Sequence, residues 1–281
     1  MSDTSPKDPG NLPPLREVIR RHNLRAEKAL GQNFLLDQNL TDKIVRLSGD
    51  FSGMTVFEIG PGPGGLTRSL LGSEAAKIIA IEYDTRAIEA LQDLVAFGDG
   101  RLDVRHGDAL EVDLTASAEV PRAIVANLPY NISTVLLVRW LRQIREQGNA
   151  FSSMTLMFQK EVADRILATP EHKAYGRLSA LSQWLCDVKR LFDLPPEAFT
   201  PPPKIQSTVL KFTPRALPSK SPSFDTMEKI IGIAFQQRRK MIRSSLKEYM
   251  PQIEAAGIDP TLRAEALTVE DYLKLSALVE A

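Results

Sequence analysis

The chain has 281 residues, 43% of them hydrophobic, with 35 basic and 35 acidic side chains and a formal net charge of zero. That supports a sizeable core in one large or two ordinary domains, and the charge balance excludes a globally basic nucleic-acid binder, so any such footprint has to be local. The single cysteine, Cys186, excludes an internal disulfide framework and a cysteine-based zinc site, and its apolar neighbours make it a small buried hydrophobe. Residues 1–14 are polar, carry Pro, Asp, Ser and Gly, and read as a disordered tail with no signal-peptide core. Apolar runs are too short to span a membrane, so a cytoplasmic protein is expected. Strands are predicted at 55–59, 77–81, 102–105, 123–126 and 155–158, with helices at 66–71, 86–95 and 135–147 between them. Such alternation implies a parallel sheet with right-handed crossovers. Over 188–211 two β-like runs flank the prolines of 195–203, which predicts an antiparallel pair closing the sheet edge. A polar, proline-bearing linker over 214–222 is followed by helices at 226–249, 251–256 and 269–279. The expected organisation is an α/β domain over 15–214 and a helical domain over 215–281.

The loop after the first strand, Gly60-Pro61-Gly62-Pro63-Gly64-Gly65, satisfies both the GxGxxG dinucleotide pattern and GxGxG. A pyrophosphate cradle needs backbone N–H donors at this turn, and Pro61 and Pro63 have none. The prolines favour a ligand without phosphate, and S-adenosylmethionine, a sulfonium cation, fits. Glu82 ends the second strand, where a carboxylate can accept both ribose hydroxyls; the alternative is a solvated strand-end charge. Asp108 follows the third strand in Gly107-Asp108-Ala109-Leu110, where it accepts an adenine amino group or caps a turn.

Asn127-Leu128-Pro129-Tyr130 follows the fourth strand. The Asn127 amide oxygen and the Leu128 carbonyl suit an exocyclic amine, whose delocalised lone pair they can draw out of conjugation by accepting its two N–H groups. Tyr130 can stack on the heterocycle, as base-modifying enzymes do with flipped bases. For four residues alone, a capped turn after a core strand is the competing reading. Catalysis of methyl transfer in such a site is mainly orientation and proximity and needs no strong base.

Eight stretches carry a resemblance: KALGQNFL at 28–35, EIGPGPGGLT at 58–67, GDAL at 107–110, NLPY at 127–130, FQKEVADR at 158–165, YGRLS at 175–179, FTPPPKIQS at 199–207 and FQQRRKMIRSSL at 235–246. In number and order they resemble the small-subunit ribosomal RNA adenine dimethyltransferase family, whose relatives include macrolide-resistance methyltransferases and mitochondrial transcription factors. The resemblance implies a Rossmann-like class I methyltransferase sheet with a small helical C-terminal domain. It also implies S-adenosylmethionine-dependent N6,N6-dimethylation of two adjacent adenosines in a hairpin loop near the 3′ end of 16S ribosomal RNA, late in small-subunit biogenesis. Gln32, Asn33 and Leu35 then help enclose the cofactor together with Gly60, Gly62, Glu82, Asp108, Ala109 and Asn127, with Phe34 packing the pocket. Phe158 faces Tyr130 across the target adenine. Two other readings stay open: an assembly or transcription factor with secondary methylation, and a resistance-type enzyme acting on large-subunit RNA.

Projected as one helix over 226–249, Arg239, Lys240, Arg243 and Lys247 share an arc, and Arg238 falls in the apolar arc opposite. The basic stripe is either a solvated face or an RNA contact, with Lys28 joining it by resemblance; Arg238 is expected to be buried with protein partners. His22, His106 and His172 are scattered singly, so no metal is expected. The small ribosomal subunit is the expected partner of a monomeric protein.

Overall fold

The apolar runs between residues 55 and 159 build five parallel strands at the heart of one sheet. The structure, a computed structural model, describes residues 12–24, 33–218 and 220–281. Lys28, Gln32 and residues 1–11 of the expected tail lie outside these. Residues 12–14 are not tail-like: Leu12 packs partly buried against the core, and the Pro14 carbonyl accepts the Glu17 N–H at 2.9 Å to start the first helix.

In chain order the elements are α1 (Leu15–Arg21), β1 (Phe34–Leu35), α2 (Gln38–Ser48), β2 (Thr55–Ile59), α3 (Gly65–Leu71), β3 (Lys77–Glu82), α4 (Thr85–Ala90), α5 (Gln92–Phe97), β4 (Leu102–His106), β5 (Arg122–Ala126), α6 (Ser133–Gln147), β6 (Ser153–Gln159), α7 (Lys160–Leu167), α8 (Arg177–Leu185), β7 (Cys186–Leu194), β8 (Phe199–Thr200), β9 (Ser207–Pro214), α9 (Phe224–Gln236), α10 (Ile242–Ser245), α11 (Met250–Ala255) and α12 (Val269–Glu280). The seven-stranded sheet runs β4-β3-β2-β5-β6-β9-β7. The pairs from β4 through β6 are parallel, and β9 lies antiparallel to β6. Val56, Phe57, Ile78, Ile79, Ala123 and Ile124 are all sealed from solvent, as strands covered on both faces must be. Strand order reverses between β2 and β5, and crevices at such a switch point open at the carboxyl ends of the strands. β1 and β8 form a separate antiparallel pair, with Phe34 opposite Thr200 and Leu35 opposite Phe199.

The residues fall into two compact units. One comprises Met1–Leu137, Asn149–Lys160 and Arg190–Phe212; the other comprises Val138–Gly148, Glu161–Lys189 and Thr213–Ala281. Two internal stretches therefore group with the C-terminal helices, rather than the chain dividing once near residue 215. Within the second unit Trp184 stacks on Phe224 at 6.0 Å, and Phe235 sits 6.1 Å from Tyr175 and 6.2 Å from Tyr272. Arg142 pairs with Asp225 and Glu228, and Arg177 shares Glu228.

The helix predicted over 226–249 does not form as one piece. α9 stops at Gln236 and the chain turns through 237–241. Met241 bridges Arg263, the Ile242 N–H bonds to the Leu262 carbonyl at 2.7 Å, and the Arg243 N–H bonds to the Pro260 carbonyl at 3.1 Å. These bonds replace helical ones, so tertiary pairing overrides the amphipathic pattern. The helix predicted over 86–95 is likewise two, α4 and α5, parted at Leu91.

Candidate active site

The carboxyl ends of β2, β3, β4 and β5 open on one cavity of ≈ 230 Å³ in the first unit. Its floor is the glycine loop between β2 and α3. Gly60, Gly62 and Gly64 all have positive φ, at 65°, 54° and 90°. At Gly62 a side chain is excluded twice over, because a Cβ there would stand 2.9 Å from the Phe34 ring. Each of these three glycine N–H groups is already bonded within the protein: Gly60 to the Ile81 carbonyl at 2.9 Å, Gly64 to the Pro61 carbonyl at 3.0 Å, and Gly62 to Glu82 Oε2 at 3.0 Å. With Pro61 and Pro63 donating nothing, no N–H group within Gly60–Gly64 is left free to cradle a pyrophosphate.

Glu82 is buried at the end of β3. Besides the Gly62 N–H, its carboxylate accepts the N–H groups of Tyr83 at 2.8 Å and Asp84 at 2.9 Å. Burial raises its pKa, against the pull of these three bonds. A carboxylate has about four acceptor sites, so Glu82 keeps room for roughly one more strong bond, fewer than the two ribose bonds expected from its position alone. Asp108 lines the cavity while its Oδ1 accepts the Leu110 N–H at 2.8 Å. The turn-capping and cavity-lining readings of this residue therefore coexist.

Glu58 lines the same cavity and carried no role in the sequence reading. It lies on β2, 2% exposed, and burial pushes its carboxyl up to about 8; the Thr67 hydroxyl pulls it down in part and the Glu82 carboxylate adds to the rise. Glu58 Oε2 completes no hydrogen bond. The available signal was an acidic residue inside the apolar run Thr55–Ile59. The lining residues include Glu58, Glu82 and Asp108, and among the described residues no Lys, Arg or His.

Asn127, Leu128 and Tyr130 line the cavity from the turn after β5, joined by Asn33, Phe34 and Leu35 from around β1 and by Ala109 after β4. Asn127 Nδ2 donates to the Asn33 backbone carbonyl at 3.0 Å. That bond fixes which way the amide faces and leaves Oδ1 as the acceptor. Among the described residues no backbone N–H is bonded to the Leu128 carbonyl. The Tyr130 hydroxyl lies 2.5 Å from Ser207 Oγ on β9. Burial raises the Tyr130 pKa and the Ser207 hydrogen bond lowers it. Neither the Asn33 nor the Ser207 contact was foreseen, since each joins residues distant in the chain.

Phe158 does not line the cavity that Tyr130 lines. It is sealed within β6 and packs edge-on against Phe212 at 6.2 Å. Position 158 is the sixth of seven residues in a strand whose centre is wholly buried.

In the second unit Arg239, Lys240, Arg243 and Lys247 are all exposed, but they belong to a turn, the short α10 and a following 3-10 helix and form no single helical stripe. The Arg238 side chain is 39% exposed rather than buried, because the projection ran through residues that are not helical. It still has partners: Glu265 at 2.5 Å and the Lys173 carbonyl at 2.5 Å, both in the same unit. His106 Nε2 lies 3.2 Å from the Tyr83 carbonyl, and His172 Nδ1 accepts the Ala174 N–H at 3.1 Å. Among the described residues no cluster of His, Cys, Asp or Glu is arranged to hold a metal, and no helix is long and apolar enough to cross a membrane.

The sequence model of the family described as ribosomal RNA adenine dimethylase matches residues 23–280. The chain is 51% identical to a ribosomal RNA small subunit methyltransferase A of Rhodospirillum rubrum, covering 99% of this chain and 97% of the relative. It is 54% identical to the protein of that name in a Ruegeria species, covering 96% and 98%. Among solved structures it is similar to a dimethyladenosine transferase from Plasmodium falciparum, with a TM-score of 0.71, 28% identity, and coverage of 85% of this chain and 94% of that one. It is also similar in fold to the 23S rRNA methyltransferase ErmE, with a TM-score of 0.65, 22% identity, and coverage of 89% and 100%.

Proposed function

Because the chain belongs to the ribosomal RNA adenine dimethylase family, we propose that it dimethylates the 6-amino groups of two adjacent adenosines in a hairpin loop near the 3′ end of 16S ribosomal RNA, using S-adenosylmethionine. The observation that carries this reading is the Asn127 amide, held by the Asn33 carbonyl so that its oxygen is the free acceptor beside the Leu128 carbonyl and the Tyr130 ring.

The lining suits the cofactor. A cavity lined by the carboxyl groups of Glu82 and Asp108 beside the neutral Glu58, with no Lys, Arg or His among its described residues, favours a cation over a phosphate ester. Over Gly60–Gly64 the loop's N–H groups are already committed, so it offers close backbone approach there without an anion nest. Glu82 would hold the ribose and Asp108 the adenine, with Asn33, Phe34, Leu35, Gly60, Gly62 and Ala109 enclosing them. When bound, S-adenosylmethionine supplies an electrophilic methyl group on a positively charged sulfur.

The protein's own residues prepare the amine. Asn127 Oδ1 accepts one N–H of the adenine and the Leu128 carbonyl accepts the other, which rotates the nitrogen lone pair out of the ring. Tyr130 stacks on the base and fixes its plane. The amine proton becomes acidic only as the new bond forms, so it leaves to solvent without a strong base. Orientation of this kind is worth several kcal/mol of barrier. The exposed Arg239, Lys240, Arg243 and Lys247 supply phosphate contacts, the main source of affinity for RNA; a loop with splayed bases is the usual target for specific reading.

The test is transfer of tritiated methyl from S-adenosylmethionine to under-methylated small subunits and to large subunits in parallel. Label in dimethyladenosine of the small subunit alone is expected. Label confined to the large subunit, or none, would overturn the reading.

A further inference from the structure

We propose that Ser207 is a positioning residue for the second of the two methyl transfers to each adenine, acting through Tyr130; this rests on the adenine dimethylation reading above. An unmodified adenine presents two N–H groups to the two acceptors, Asn127 Oδ1 and the Leu128 carbonyl. After one transfer the nitrogen carries a methyl group and a single N–H. One acceptor then faces carbon, and one orienting hydrogen bond is gone. In the second transfer the mono-methylated nitrogen forms a bond to the incoming methyl carbon, the carbon–sulfur bond breaks with its electron pair staying on sulfur, and the last N–H proton leaves to solvent. The base must hold the same attitude with half the hydrogen-bond restraint, so the stacking partner carries a larger share of the orientation.

That partner is tied at both ends. Its backbone belongs to the turn after β5, and its hydroxyl meets Ser207 Oγ at 2.5 Å. Ser207 is a rigid post. It is sealed from solvent, opens β9, and stands opposite Gln159 in the antiparallel ladder with β6. Beside it the Lys160 N–H bonds to the Gln206 carbonyl at 2.9 Å. Without the hydroxyl pair the Tyr130 ring is held by its own backbone and packing alone, and it can tilt. The first transfer, with two hydrogen bonds to the amine, tolerates this; the second does not.

The experiment compares the unaltered protein with Ser207→Ala, Tyr130→Phe and the double variant on under-methylated small subunits. Monomethyl- and dimethyladenosine are quantified by mass spectrometry of the digested RNA over time. Each single variant should raise the ratio of monomethyl to dimethyl product by about fivefold, the worth of one net hydrogen bond, and in Ser207→Ala the rate of first methylation should stay within about twofold. The double variant should match either single one, because all three remove the same bond. A purely structural loss would slow both transfers together and lower the melting temperature. If Ser207→Ala fails to fold, Tyr130→Phe decides alone. Unchanged ratios in a dimethylating protein, or additive shifts in the double variant, overturn the role of Ser207 and leave the activity standing. Absence of any transfer by the unaltered protein sinks both.

Discussion

A neutral carboxyl buried in the cavity makes stability fall as pH rises. Glu58 has an ordinary pKa of 4.5 in the unfolded chain and about 8 in the fold. Between those values the folded protein keeps a proton that the unfolded chain has lost, so raising the pH favours unfolding; above about 8 the penalty is complete and stability levels off. One proton per molecule corresponds to roughly 1.4 kcal/mol per pH unit. Because the folded group itself begins to ionise near 8, the loss between pH 6 and pH 8 comes to about 2 kcal/mol. Glu58→Gln keeps the shape and removes the ionisation. Urea unfolding of both proteins at pH 6, 7 and 8 isolates the effect, since every other titrating group is shared. The unaltered protein should lose about 2 kcal/mol more than the variant across that range. Parallel stability curves would show that Glu58 ionises normally and that its burial does not control its charge.

Three further outcomes follow from the site and the surface. Asn127→Ala should nearly abolish methyl transfer while changing cofactor affinity only a few fold, because the amide acts on the amine in the transition state; near-normal turnover would remove the proposed role. Glu82→Ala should weaken S-adenosylmethionine binding by about 2–3 kcal/mol as a charged hydrogen-bond acceptor is lost. It should also lower the melting temperature, since the N–H groups of Gly62, Tyr83 and Asp84 lose their partner; unchanged calorimetric affinity would reduce Glu82 to a loop brace. Arg239→Ala combined with Arg243→Ala should weaken binding to small subunits and flatten its dependence on salt, with the slope of log K against log salt falling by roughly 1.5. An identical slope would mean that these exposed cations touch only solvent.

Much of the site was legible because strand ends and turns are local. A run of buried apolar residues followed by Gly60-Pro61-Gly62, by Glu82 or by Asn127, and the half-buried strand before Asp108, place each group at a carboxyl end before any coordinate is known, and parallel pairing brings those ends together. The prolines of the glycine loop argued against a pyrophosphate by themselves, and the internal bonding of the glycine N–H groups agrees with that argument. Short elements were not legible: β1 and β8 have two residues each, too few for any periodicity, and α2 was missed although Asp37 caps it by accepting the Asn39 N–H at 2.9 Å.

Tertiary structure decided the rest. Whether Phe158 or another side chain meets the target base depends on which face of β6 is covered, and a strand buried on both faces gives no alternation from which to read it. The break after Gln236 is set by carbonyls at Pro260 and Leu262, beyond the reach of any local pattern, and it undoes a helical projection that composition supports. The pKa of Glu58 is likewise a property of the fold, because it measures how much water the packed strands exclude. So are the two bonds that aim the site, Asn33 to Asn127 and Ser207 to Tyr130, which span 94 and 77 positions of the chain. Sequence determined which groups stand at the ends of the strands, since that follows from the order of residues along each one; only the folded chain determined how those groups are oriented, since orientation comes from partners that the chain's own order does not place beside them.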